Sequence, residues 1–152
     1  MVATILVRAA AGKNIKNAVE NNTTKSIRVV LWDRDGNLIL QHRDNKPAIA
    51  QPDKITFFGG GIGDGEQPIE AAIREMKEEL MLSLKQEDLK FIDIHESGFE
   101  TISVYETKNV DRQKLNLQEG QGIVVFSLQS NLDDYNLSPR ARRLIEFLKI
   151  RK

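Results

Sequence analysis

Residues 60–82 read GGIGDGEQPIEAAIREMKEELML, a glycine-rich run followed by a stretch with helical periodicity. Pro68 suits the first turn of a helix, and the pattern predicts one from there to about Leu82. Successive helical residues are about 100° apart, so Glu75, Glu78 and Glu79 share an arc of roughly 100°, with Ile69, Ala72, Ile73, Met76 and Leu80 on another side. One face packs and the other looks into a cleft. Carboxylates this close repel unless cations or protons compensate them, and an oxygen-rich cluster suits Mg²⁺ or Mn²⁺. Taken alone, the same glutamates could form a solvated face pairing with Lys77 or Arg74.

Working outward, Ile27–Trp32 and Leu38–His42 flank the turn-rich Asp33-Arg34-Asp35-Gly36-Asn37 and read as a hairpin. Residues 47–53 form a polar loop with two prolines, and Ile55–Phe58 is a short strand entering a glycine-rich turn. Further strands are expected at 89–96, 101–107 and 122–128. Ser138 as N-cap and Pro139 open a final helix that buries Ala141, Leu144, Ile145 and Leu148. Several turns are too short for parallel crossovers, which argues an α/β protein with a mixed sheet between helices. Trp32, Phe57, Phe58, Phe91, Tyr105 and Phe126 lie in apolar strands and are expected in the core, with Phe57 or Phe58 near enough to the glycine-rich turn to border a base pocket.

At 152 residues the chain is one domain long and large enough to fold without staples. Residues 1–22 hold a short apolar run and then basic residues; they read as an edge strand and loop rather than as a cleaved signal. Lys plus Arg balance Asp plus Glu at 22 each, so no general attraction to nucleic acid or to an anionic membrane is expected. Without cysteine there are no disulfides, thiolate metal sites or thiol nucleophiles, which fits a cytoplasmic protein. No apolar run approaches the roughly 20 residues of a membrane span.

The spacing G-x5-E-x7-R-E-φ-x-E-E-x-G-φ, with φ apolar, is met by Gly60, Glu66, Arg74, Glu75, Met76, Glu78, Glu79 and Leu82. This resembles the Nudix box. Two positions depart from the family pattern: Met81 stands where a helix-ending glycine is usual, and Gly63 where many members carry a glutamate. A non-glycine residue at the helix end costs about 1 kcal/mol or lets the helix run on.

The resemblance implies a Nudix-type α/β/α sandwich and Mg²⁺-dependent hydrolysis, by water attack at phosphorus, of a pyrophosphate bond in a nucleoside diphosphate derivative. The metal ligands would be Glu75, Glu78 and Glu79, assisted by Glu66. Arg74, turned away from the metal face, would hold Glu75 or the loop. An extra glutamate near 115–121 is frequent in the family as ligand or base; Glu119 is the candidate, with Glu96, Glu100 and Glu106 also downstream. Arg43 is a candidate phosphate contact, and Gly60 and Phe58 candidates beside the substrate.

A (deoxy)nucleoside triphosphate ranks first as substrate, ahead of nucleotide sugars and dinucleoside polyphosphates. A non-catalytic nucleotide-binding module is the rival from another class. The oligomeric state, a homodimer included, stays open. The glycine run lacks the Gly-Lys-Ser/Thr ending of a P-loop, and His42 and His95 are isolated, so neither enters the mechanism.

Overall fold

The computed structural model describes residues 24–151, so the expectation for residues 1–22 lies outside the described residues. Among the described residues the chain forms strands β1 (Thr24–Asp33), β2 (Leu38–His42), β3 (Ile55–Thr56) and β4 (Phe58–Gly61), then helix α1 (Pro68–Leu80). Strands β5 (Lys90–Glu96), β6 (Glu100–Val110) and β7 (Gly122–Phe126) follow, and helix α2 (Pro139–Ile150) closes the fold.

β1 organises the sheet. One edge runs parallel to β6 along almost its whole length, and the other is shared between two antiparallel partners. β2 meets it only at Leu31↔Ile39 and Trp32↔Leu38, after which β4 takes over from Val29↔Phe58 to Ser26↔Gly61. β2 diverges to pair with β3 on that side and β7 on the other. The sheet is therefore mixed, and it forks where β1 and β2 part.

Alternation along β1 assigns its side chains to two cores. Ile27, Val29 and Leu31 pack with Phe58 and with Ala71, Ala72, Met76 and Leu80 of α1. Val30 and Trp32 pack on the other face with Ala141, Leu144, Ile145 and Leu148 of α2, the four residues expected to be buried there. A helix thus covers each face. Ser138 caps α2 as its periodicity suggests, its hydroxyl accepting from Ala141 N at 3.1 Å.

Three expectations change. Gly59–Gly61 reads as a loop, yet these residues complete β4 against β1, and Gly59 and Gly60 leave no room for a side chain. A Cβ on Gly59 would lie 2.1 Å from the carbonyl oxygen of Ile27. Phe91 is not core: it is 52% exposed, because a register shift between Phe91 and Asp93 breaks the alternation of edge strand β5. α1 stops at Leu80 rather than Leu82. Met81 takes the left-handed conformation at φ 55°, and its N–H donates to Lys77 O at 3.1 Å while Leu82 N–H donates to Met76 O at 3.2 Å.

Candidate active site

α1 begins after a loop fixed by its own side chains. Gln67 N–H donates to Glu70 Oε1 at 3.0 Å, and Gly63 N–H to Glu66 Oε1 at 2.9 Å. Gly65, at φ 74°, makes the turn between them. The helix then carries its acidic residues toward β4, where glycines replace side chains. A Cβ on Gly60 would fall 2.4 Å from Glu75 Oε1, and Gly59 N–H donates to Glu79 Oε2 at 3.3 Å. The glycine strand is the wall against which two carboxylates are seated.

Arg74 does not turn away from these carboxylates as its helical position suggests. Its long side chain bends across them. Nε and an Nη hold both oxygens of Glu66 at 2.8 and 2.9 Å, and further bonds reach Glu75 at 3.0 Å, Glu78 at 3.3 Å and Gly61 O at 2.9 Å. Glu66 is thereby occupied on both oxygens, and the Arg74 and Gly63 hydrogen bonds hold its pKa at about 2. Glu66, expected to assist the metal ligands, here anchors Arg74 and the loop.

Glu119 is brought to the same place. Its loop hangs from the end of α1 through Asn116 N–H to Leu80 O at 2.9 Å and Gln118 N–H to Glu79 O at 2.8 Å. On its other side Gln121 N–H donates to His42 O at 2.7 Å, and the Gln41 amide donates to Glu119 O at 3.1 Å. Gly120, at φ 99°, allows the tight approach, since a Cβ there would meet His42 O at 2.7 Å.

The electrostatics follow from burial and like charge. Glu79 is 5% exposed, and burial, with the charges of Glu75 and Glu119 added, pushes its carboxyl up to about 8. Burial also raises Glu75; Arg74 pulls the other way, and Glu78 and Glu119 add to the rise. As the side chains stand, no three acidic or histidine groups among the described residues converge closely enough to hold an ion. Arg74 engages Glu75 and Glu78, while Glu79 turns to Gly59.

The other expected residues fall into two groups. Gly60 backs Glu75, and Arg43, whose Nε donates to Ala50 O at 2.9 Å, stands close enough for its charge to be felt at Arg28. Phe58 is fully buried against α1 and has no surface to offer a base. Among the alternatives to Glu119, Glu100 pairs with Arg140, and Glu106 is bound by Trp32 and Arg151. Sequence reasoning passed over Arg28. A lone cation inside the apolar run Ile27-Arg28-Val29-Val30 was the available signal.

The NUDIX domain family matches residues 22–147. Among solved structures, the Escherichia coli ORF135 protein is 25% identical, with 86% of this chain and 91% of that one covered and a TM-score of 0.62. MutT, from work on Aliivibrio salmonicida and Vibrio cholerae, is 13% identical over 86% and 99% of the two chains, with a TM-score of 0.70. The dihydroneopterin triphosphate pyrophosphohydrolase of E. coli is 20% identical over 84% and 96%, with a TM-score of 0.64. The chain belongs to the Nudix family and is a hydrolase of its pyrophosphohydrolase kind. Such enzymes generally depend on divalent metal ions and act on small nucleotide substrates. No helix among the described residues is long and apolar enough to cross a membrane.

Proposed function

We propose that the chain hydrolyses a pyrophosphate bond of a (deoxy)nucleoside triphosphate or a close nucleoside diphosphate derivative with Mg²⁺, in the cytoplasm. The observation that carries this reading is the seating of Glu75 and Glu79 against Gly60 and Gly59, facing the charge of Glu119.

The chemistry of these donors, all carboxylate oxygens, suits a hard divalent cation. Glu79 is a nearly buried carboxyl with one long hydrogen bond, beside two further carboxylates that raise its proton affinity. Such a cluster is compensated by an oxygen-seeking ion. Glu75, Glu78 and Glu79 would hold Mg²⁺, or Mn²⁺ in its place. A divalent ion bound there supplies charge neutralisation at the phosphoanhydride oxygens and lowers the pKa of bound water.

The chain's own groups do the remaining work. Arg74 fixes the angle of Glu75 and ties the helix to the loop at Gly61, so the carboxylates keep their places when a polyanion approaches. Glu119, exposed on its pinned loop, takes the proton of the attacking water. Arg43 offers a cation to a phosphate at the end of β2.

The test is release of phosphate or pyrophosphate from a panel of nucleoside triphosphates, nucleotide sugars and dinucleoside polyphosphates, with Mg²⁺, with EDTA, and with E78Q. Metal-dependent turnover by the wild type, largely lost in E78Q, is expected. Nucleotide binding without turnover across the panel would overturn the reading.

A further inference from the structure

His42, which stands apart in the sequence, is tied to two loops at once. It ends β2, where the chain leaves for the loop 43–54 on one side and meets the Glu119 loop on the other. Its Nε2 lies 2.8 Å from Asp53 Oδ1, and the same carboxylate oxygen accepts from the Gln121 amide at 2.8 Å. The second proton of that amide goes to Arg43 O at 2.7 Å, and the Gln121 backbone N–H goes to His42 O. Asp53 therefore joins the two loops through a single oxygen.

The backbone aims that oxygen. Asp53 is left-handed at φ 61°, and so is Gln51 at φ 50°, conformations that non-glycine residues keep only where the surroundings over-determine them. Here they do: Asp53 N–H donates to Asp44 O at 3.0 Å, and Asp53 O accepts from the Asn136 amide at 3.0 Å. The hydrogen bonds of Gln121, and next of His42, hold the Asp53 carboxyl below its ordinary value. It is thus an acceptor at neutral pH, and His42 Nε2 carries the proton between them.

An ion pair this exposed adds little to global stability, since water competes for both partners. Its effect is local. Gln121 is two residues from Glu119, and Gly120 between them, at φ 99°, has no side chain to brace the turn. Before Glu119 the loop is held to α1 at Asn116 and Gln118; after it, the loop is held to the end of β2 by Gln121. Resting on the hydrolase reading above, with Glu119 as the base, we infer that His42 and Asp53 are positioning residues that fix Glu119 beside the carboxylates of α1. They act through Gln121 and not on the substrate.

The experiment compares Asp53→Ala, His42→Ala, His42→Gln and Glu119→Gln with the wild type by hydrogen exchange, Mn²⁺ titration and steady-state kinetics. Exchange is expected to quicken together in residues 44–53 and 116–121 of Asp53→Ala and His42→Ala, while α1 and the Mn²⁺ affinity stay as in the wild type. Tm should move by less than about 3 °C in both. Their kcat should fall about tenfold. His42→Gln returns a donor at the reach of the imidazole Nε2 and should recover most of that loss. Faster exchange confined to residues 44–53, an unchanged kcat in both alanine variants, or no recovery in His42→Gln would overturn the inference. Joint loosening of the two loops beside a fully active Glu119→Gln keeps the tie between them and removes Glu119 as the base. A slow Glu119→Gln in a protein whose loops loosen independently does the reverse.

Discussion

Glu75 occupies the space that a side chain on Gly60 would fill: a Cβ there would sit 2.4 Å from its Oε1 and 2.5 Å from its Cδ. Gly60→Ala should therefore push Glu75 out of line rather than merely stiffen a loop. Turnover is expected to fall by about 100-fold, because a misplacement of about 1 Å can cost that much. Stability should drop by about 1–3 kcal/mol, as for other overpacked sites. Steady-state kinetics beside urea unfolding check both, and an unchanged rate would detach Glu75 from the chemistry.

Arg74 makes five hydrogen bonds to four residues, more than an ammonium group with three protons can reproduce. Arg74→Lys should keep the positive charge and lose the bridge from Glu66 to Glu75. The expected result is a folded protein with metal affinity or turnover lowered about 10–100-fold. Metal titration and circular dichroism together distinguish this from unfolding.

Met81 holds a left-handed conformation at φ 55° with half its surface exposed, so little packing is lost if the side chain is removed. Met81→Gly should stabilise the fold by about 1 kcal/mol. For a chain of this size that is a rise in Tm of roughly 2–4 °C, readable by calorimetry. A lower Tm would show that the thioether packs more than its exposure suggests.

Glu106 is 4% exposed and accepts from Trp32 Nε1 at 3.0 Å and an Arg151 Nη at 2.8 Å. Burial alone would raise its pKa, but the Arg151 and Trp32 hydrogen bonds outweigh it and hold the group below its ordinary 4.5. A carboxyl depressed in the folded state adds stability that is complete above the unfolded value and is lost as pH falls through the folded one. Glu106→Gln should thus cost about 1–3 kcal/mol at pH 7. Its stability should also decline less steeply below about pH 4.5 than that of the wild type. Urea midpoints from pH 3 to 7 would show whether the two curves converge in acid.

The box was legible because its carboxylates repeat at helical spacing and its glycines punctuate the approach, both local signals. The hairpin of β1 and β2 and the capped α2 were legible for the same reason. β4 was not, since glycine is depleted in strands, and the need for Gly59 and Gly60 comes from Ile27 of β1 and Glu75 of α1, which are distant in sequence. The bond between Glu66 and Arg74 was not legible, because spacing shows that a carboxylate is present and not what it binds. Its partner Arg74 sits two turns away on a side chain long enough to reverse direction. The grouping of Arg28 with Arg140 and Arg143 was invisible for a related reason: the first comes from β1 and the other two from α2, and only the folded sheet brings them together.

The last carbonyls of α1 serve as pegs from which another segment is suspended, Leu80 O carrying Asn116 and Glu79 O carrying Gln118. Glu79 thus presents its side chain to the site and its backbone to the loop that holds Glu119. Shortening or lengthening that loop would tug on the helix rung where the innermost carboxylate is mounted. The helix end and the loop are thus mechanically one piece, and a strain entering at the loop is felt at Glu79.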